Sequence, residues 1–188
     1  MKIIIEGPSL TGKDIISCAL QDAFNLTYLG TSKHRIPEIK GIDEYSFLRG
    51  SIESTLKHVN LLDNIITTKF FIDNVVSNII NNKSSLKEAN DDFLNYLDAF
   101  HSTHNPVLIV IDSTYDTYLK RHDANNKCFN AVPSIKEEMM FQHYTSLMNL
   151  YSNKCENKFK ILRYSNDLET YLPKLVNTII TDLQSLCN

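Results

Sequence analysis

The fold is decided by residues 7–14, Gly7-Pro8-Ser9-Leu10-Thr11-Gly12-Lys13-Asp14, which follow the apolar run Lys2-Ile3-Ile4-Ile5. They match the pattern Gly-x-x-x-x-Gly-Lys between a predicted strand and a predicted helix that begins near Lys13. The two glycines let the backbone wrap around a phosphate, the helix N-terminus adds partial positive charge, and the lysine adds a full one. An ordinary strand-to-helix turn does not account for a lysine directly after the second glycine. We therefore predict that residues 7–14 bind a triphosphate.

Asp14 occupies the position at which such loops usually carry Ser or Thr, whose hydroxyl is a magnesium ligand. A carboxylate there can hold Mg²⁺ directly or through water, although it also repels the phosphates. Alternatively, Asp14 only complements the positive end of the following helix. The sequence leaves both interpretations open.

The composition indicates a single domain, residues 1–188, because 43% hydrophobic residues can fill one sizeable core. The net charge of −3 offers no attraction to nucleic acid or to an anionic membrane, so the expected partner is a small molecule. The four cysteines form no Cys-x-x-Cys pair, which is typical of a reduced, cytoplasmic protein. No apolar run approaches the roughly 20 residues of a membrane span.

Five short apolar runs alternate with segments of helical period, which predicts a doubly wound α/β fold. The runs are nearly continuous, as expected for parallel strands covered on both faces. They are Lys2–Ile5, Leu26–Leu29, Lys69–Ile72, Val107–Ile111 and Phe159–Leu162. One helical stripe, interpreted as core, comprises Met140, Tyr144, Leu147 and Tyr151. Two polar segments, 30–43 and 122–134, are interpreted as functional loops.

The segment Phe71-Ile72-Asp73-Asn74-Val75-Val76-Ser77 resembles the Asp-Arg-Tyr-x-x-Ser segment of thymidylate kinases and the Glu-Arg-Ser segment of deoxynucleoside kinases. Asn74 replaces the arginine. The resemblance implies that Asp73 lies beside magnesium and phosphates, and that Asn74 and Ser77 contact the substrate. A strand-terminal aspartate that merely caps the next helix is the alternative.

Two further segments resemble the same kinases. Asn105–Asp112 and Tyr115–Arg121 resemble the fourth strand and the helix that leads into a lid, here roughly residues 121–135. The resemblance implies that Arg121 and Lys127 close over the donor phosphates; solvated surface charges are the alternative. Tyr45–Arg49 resembles the acceptor-site helix, in which Arg49 would orient the acceptor.

The same resemblance gives two more acceptor-site candidates. Phe47 would contact a base, although an aromatic residue on a helix is more often core. Arg35 lies in Arg35-Ile36-Pro37-Glu38, which resembles the Arg-Glu-Pro-Gly loop of thymidylate kinases.

The resemblance covers nearly the whole chain and implies a three-layer P-loop kinase fold with strand order 2-3-1-4-5. It also implies ATP and Mg²⁺ as cofactors and a homodimer. A nucleoside acceptor needs a general base, and the second strand ends in Leu29-Gly30-Thr31-Ser32 without an acid. A monophosphate acceptor needs cations instead. We therefore predict a deoxynucleoside monophosphate kinase, with dTMP as the expected acceptor. A deoxynucleoside kinase and a catalytically impaired nucleotide-binding protein are the alternatives.

Overall fold

The computed structural model describes residues 1–29, 44–82, 84–100, 106–125, 135–167 and 171–187. Its strands are β1 Lys2–Glu6, β2 Thr27–Tyr28, β3 Ile65–Thr68, β4 Val107–Asp112 and β5 Lys160–Ser165. Its helices are α1 Lys13–Phe24, α2 Glu44–Leu61, α3 Phe71–Ile80, α4 Leu86–Ala99, α5 Tyr115–Asn125, α6 Ile135–Lys154 and α7 Leu172–Cys187.

The five strands form one parallel sheet in the order β2-β3-β1-β4-β5. This confirms the predicted α/β fold and strand order. Within the sheet, Ile4 is in register with Thr67 of β3 on one side and with Leu108 of β4 on the other. The loop after β1 is therefore flanked by the segments that follow β3 and β4, at the edge where open α/β sheets bind ligands.

Alternate residues of the central strands are buried in two separate cores, one on each face of the sheet. Ile4 and Leu108 pack with residues of α2, α3, α4 and α6. Ile3, Ile5 and Ile109 pack with residues of α1 and α7. This arrangement gives the three predicted layers and explains why the strands lack alternation of polar and apolar residues.

The third strand was predicted at the wrong place. It spans Ile65–Thr68, and the predicted strand residues Lys69–Ile72 form a link and the start of α3. β-Branched Ile and Thr suit a strand, and both threonines are fully buried. Phe70, Phe71 and Ile72 are also fully buried, and such a short apolar run does not by itself distinguish a strand from a buried helix.

Smaller differences occur at other boundaries. β2 is limited to Thr27–Tyr28, and β5 begins one residue later than predicted and extends to Ser165. Residues 122–125 of the second predicted loop belong to α5; residues 126–134 and the whole first loop, 30–43, lie outside the described residues. Among the helices that the structure describes, none is long and apolar enough to cross a membrane.

Candidate active site

The loop between β1 and α1 has a backbone that only particular residues tolerate. Gly7 has φ 146° and Gly12 has φ 82°, and Leu10 also lies in the left-handed region with φ 63°. A Cβ atom on Gly7 would lie 2.1 Å from the backbone oxygen of Ile111 at the end of β4. The first glycine is thus required both by its φ angle and by close packing against β4.

The Lys13 ammonium is folded into this loop. Its Nζ donates hydrogen bonds to the backbone oxygen of Pro8 and, at 3.2 Å, to Thr11 Oγ1. Thr11 in turn donates to the same Pro8 oxygen at 2.9 Å. Burial and, to a smaller extent, the charge of Lys69 lower the pKa of Lys13 from 10.5 to about 8, although the carboxylates of Asp73, Glu6 and Asp14 act in the opposite direction. A cation is therefore held where a bound phosphate would accept its hydrogen bonds.

Asp73 lies in the first turn of α3 and is only 9% exposed. The hydroxyl of Tyr144, on α6, donates a hydrogen bond to Asp73 Oδ1 and lies 3.4 Å from the backbone oxygen of Gly7. Burial raises the pKa of Tyr144 well above 10, and the charge of Asp73 adds to the effect. The phenol therefore remains a donor to this carboxylate at neutral pH.

Glu6, the last residue of β1, is fully buried and holds the start of α3. Its Oε1 accepts hydrogen bonds from the backbone nitrogens of Phe70 at 3.1 Å and Ile72 at 3.2 Å. Its Oε2 has no hydrogen-bond partner among the described residues. Burial raises the pKa of Glu6 from 4.5 to about 8, and the neighbouring charge of Asp73 contributes to the shift. Glu6 thus fixes α3, and with it Asp73, relative to the loop.

A slot of about 380 Å³ opens beside the loop between α3 and α6. Its polar end carries Lys69, whose Nζ lies 3.5 Å from Ser9 Oγ, together with Asp73. Its other end is formed by apolar, aromatic and amide side chains. The slot is lined by Pro8, Ser9, Lys69, Asp73, Ser77, Ile80, Asn81, Tyr118, Met140, Phe141 and Tyr144. A cavity of about 600 Å³ lies at the opposite edge of the sheet, beside the first residues of β4 and β5.

Arg121 of α5 contacts another part of the loop. Its Nη1 donates to the backbone oxygen of Leu10 at 2.9 Å, and its Nη2 donates to Asn166 Oδ1 at 3.2 Å. Asn166 is 2% exposed and donates from Nδ2 to the backbone oxygen of Thr11 at 2.8 Å. These contacts attach α5 and the segment after β5 to the loop.

The structure brings most of the predicted residues together. Asp73 and Ser77 line the slot together with Pro8 and Ser9 of the loop, Lys13 lies near Asp73, and Arg121 contacts the loop at Leu10. Asp14 is exposed in the first turn of α1, near enough to Lys13 for its charge to act on it. Asn74, in contrast, is buried, and its amide nitrogen donates to the backbone oxygen of Phe70 rather than into the slot.

Four predicted residues lie outside what the structure describes. Arg35 and Lys127 fall in segments that are not described, and α2 is described without the side chains of Phe47 and Arg49. Their roles stay predictions.

The sequence reasoning missed several residues of the site, among them Glu6 and Lys69. Glu6 had a local signal, because it is a carboxylate at the end of a largely apolar strand. Lys69 had none, because the sequence placed it inside the third strand, whereas it directly follows that strand. The stripe interpreted as core is core at Leu147 and Tyr151. The interpretation of its other half as core is corrected, because Met140 and Tyr144 line the slot. Helical periodicity identifies the inward face but does not distinguish a core from a cavity wall.

The residues present suit a magnesium ion brought in with phosphates better than a metal held by protein alone. In the described parts of the chain, no three His, Cys, Asp or Glu side chains come together as a ready metal site. Mg²⁺ commonly takes one or two carboxylates and completes its shell with phosphate oxygens and water. The Asp73 carboxylate beside the loop fits that requirement.

No protein-family model matches the sequence, and no curated protein is significantly similar to it in sequence. Solved structures do match. A deoxyadenosine kinase from M. mycoides with bound dCTP has a TM-score of 0.63 and 18% identity, with 98% of this chain and 100% of that chain covered. The YorR protein of Bacillus subtilis, in complex with phosphorylated GDP, has a TM-score of 0.61 and 15% identity, with 98% and 96% covered.

A thymidylate kinase from Candida albicans has a TM-score of 0.58 and 10% identity, with 98% of this chain and 89% of that chain covered. At these identities the matches establish the fold. The resemblance to thymidylate and deoxynucleoside kinases is thus confirmed in architecture, and the chain has the fold of P-loop kinases.

Proposed function

We propose that this protein is an ATP- and Mg²⁺-dependent kinase that phosphorylates a deoxynucleoside monophosphate, with dTMP as the expected acceptor. The observation that carries the proposal is the slot between α3 and α6, which opens directly beside the phosphate-binding loop. A donor phosphate in the loop and an acceptor in the slot would meet at Lys13, Lys69 and Asp73. Kinases of this kind work largely by such positioning and by charge neutralisation.

On the donor side, the loop amides and Lys13 would hold the ATP phosphates, and Lys13 would stabilise charge on the transferring group. Arg121, attached to Leu10, would support the loop and neutralise charge on the same side. Asp73, and Asp14 in the following helix, would hold magnesium. Magnesium held there would supply positive charge that neutralises the phosphate oxygens.

On the acceptor side, two neighbouring cations favour an anionic acceptor. Lys69 is close enough to lower the pKa of Lys13, so the two ammonium groups repel one another. A phosphate on each side of the reaction would relieve that repulsion, and a monophosphate already carries its nucleophilic oxygen as an anion. Arg35 and Arg49 remain proposed partners of the same acceptor phosphate.

The aromatic part of the slot wall suits a nucleobase. The ring centroids of Tyr118 and Phe141 are 4.9 Å apart, and both rings contribute to the slot wall. Ser77 of α3 and Asn81, directly after α3, also line the slot and supply hydroxyl and amide groups. A flat base can stack on an aromatic face while its polar edge forms hydrogen bonds.

Phe141→Ala is expected to raise KM for the acceptor about 10-fold, since stacking of a base on an aromatic ring contributes about 1–3 kcal/mol. KM for ATP should be unchanged, because Phe141 lies in the slot rather than in the loop. Initial rates with each substrate varied in turn measure both constants. Leu150→Ala is the matched control, since Leu150 is an exposed apolar residue of the same helix. A rise in KM for ATP alone would contradict the assignment of the slot.

ADP formation from ATP and Mg²⁺, measured across a panel of deoxynucleoside monophosphates and nucleosides, tests the proposal. We expect preferential turnover of one monophosphate, with dTMP as the first candidate. Release of ADP without any acceptor dependence would count against a nucleotide kinase.

A deoxynucleoside kinase is the second candidate, and one observation favours it. Asp73 lines the slot, where a carboxylate can accept a proton from a sugar hydroxyl. Turnover confined to nucleosides would support this candidate. Nucleotide binding without turnover of any panel member would instead indicate a protein in which Asp14 and Asn74 mark lost catalysis.

The remaining expectations extend the same proposal. We propose that residues 1–188 act as one domain with a lid at roughly 121–135, in a cytoplasmic homodimer that binds neither nucleic acid nor membranes. Light scattering of the purified protein gives its mass and so tests for a dimer. If residues 121–135 form a lid, bound ATP should protect them from proteolytic cleavage.

A further inference from the structure

Tyr144 joins the slot to the phosphate-binding loop. Its ring forms part of the slot wall, and its hydroxyl reaches Asp73 Oδ1 and approaches the Gly7 oxygen at 3.4 Å. The side chain therefore spans the space in which donor and acceptor would meet.

A series of contacts connects Glu6, the start of α3, Asp73 and Tyr144. Glu6 binds the first backbone amides of α3, and Asp73 projects from the first turn of that helix. Tyr144 donates to Asp73, and the same hydroxyl lies 3.4 Å from the backbone oxygen of Gly7, which directly follows Glu6 in the chain. Glu6 fixes the backbone that carries Asp73, whereas Tyr144 fixes its carboxylate.

Tyr151, two turns further along α6, shows what a structural tyrosine in this helix does. It is fully buried, and its hydroxyl donates to Asn90 Oδ1 of α4 at 2.6 Å. That bond ties two helices together away from the loop. Tyr144 has the same type of hydroxyl contact, but its partner is a carboxylate beside Lys13.

We propose that Tyr144 is a positioning residue for phosphoryl transfer, which holds the Asp73 carboxylate toward the site of the magnesium–nucleotide complex while its ring forms a wall of the acceptor slot. The inference rests on the proposed kinase function and deepens it. Hydroxyl groups that orient a metal-binding carboxylate commonly affect metal affinity and rate without touching the metal.

Tyr144→Phe is the direct test, because it removes the hydroxyl and leaves the ring. We expect kcat to fall about 10- to 100-fold, the range typical of residues that orient metal ligands. KM for the acceptor should be unchanged because the slot wall is retained. Isothermal titration with ADP, with and without Mg²⁺, should show that magnesium strengthens ADP binding less in the variant than in the unmodified protein. Tyr151→Phe, the matched control, should retain both kcat and the magnesium effect.

A double-variant comparison tests whether Tyr144 acts through Asp73. In an Asp73→Asn background, Tyr144→Phe should cause no further loss in kcat or in magnesium-dependent ADP binding. Equal effects of Tyr144→Phe in both backgrounds, or equal effects of Tyr144→Phe and Tyr151→Phe, would overturn the proposal. If no acceptor is turned over, the kinase proposal fails, and the titrations with ADP still decide the role of Tyr144.

Discussion

Replacing Lys13 with Ala is expected to reduce kcat for phosphoryl transfer by about 10³-fold, the upper range for loss of one electrostatic contact to a transition state. The Lys13 ammonium is buried inside the loop and bonded to Pro8 and Thr11, so no other side chain on α1 can take its place. The loop amides remain, and nucleotide binding should weaken without being lost. Initial rates of ADP formation and titration with ADP measure the two effects separately.

Lys158→Ala is the matched control for charge. Lys158 forms an ion pair with Asp98 at 3.0 Å and lines the cavity at the opposite edge of the sheet. Removal of a partly exposed ion pair changes stability little, and kcat should be unchanged. Near-normal turnover by Lys13→Ala would mean that the loop does not hold the transferring phosphate.

Gly7→Ala should have the largest effect on stability, with a loss of about 3 kcal/mol or more from strain and a steric clash together. The added Cβ would lie 2.1 Å from the Ile111 oxygen, and φ 146° is a conformation that residues other than glycine rarely adopt. For a chain of this length, a loss of that size lowers Tm by about 6–12 °C. Differential scanning calorimetry measures it.

The control for this substitution is Gly50→Ala, because Gly50 lies inside α2. Alanine is favoured over glycine within a helix by about 1 kcal/mol, so this variant should be at least as stable as the unmodified protein. An unchanged Tm and normal ADP binding in Gly7→Ala would contradict the close packing of the loop against β4.

The conformation of the loop between β1 and α1 could be predicted from sequence because its requirements are local. Gly7 and Gly12 meet the need for unusual φ angles, and Lys13 follows at a fixed spacing. The strand order came from resemblance, and the parallel sheet from apolar runs without alternation. Both predictions use the types of residues and their order along the chain, and a single sequence contains that information.

The third strand could not be located in the same way. Thr67 and Thr68 look polar in the sequence, yet both are fully buried, and the Tyr28 hydroxyl lies 3.1 Å from Thr68 Oγ1. The contact of the Thr68 hydroxyl helps to make its burial possible. The third strand lies four residues earlier than predicted. Asp73 therefore lies in a helix rather than at a strand end, and Lys69 directly follows the strand.

Tyr144 and Glu6 lay beyond sequence reasoning for another reason. The bond between Tyr144 and Asp73 joins residues 71 positions apart, and the bonds from Glu6 to α3 join residues at least 64 apart. Neither pair has a characteristic spacing, because tertiary packing alone brings them together. A titratable side chain within an apolar segment is the signal that remains, and Glu6 carries it.

Transfer of the labelled γ-phosphoryl group of ATP to dTMP, with separation of the products, tests the central proposal most directly. We predict magnesium-dependent appearance of the label in dTDP, and its loss in Lys13→Ala. Label found only in inorganic phosphate, or retained in ATP across all monophosphates, would contradict the assignment of a nucleotide kinase.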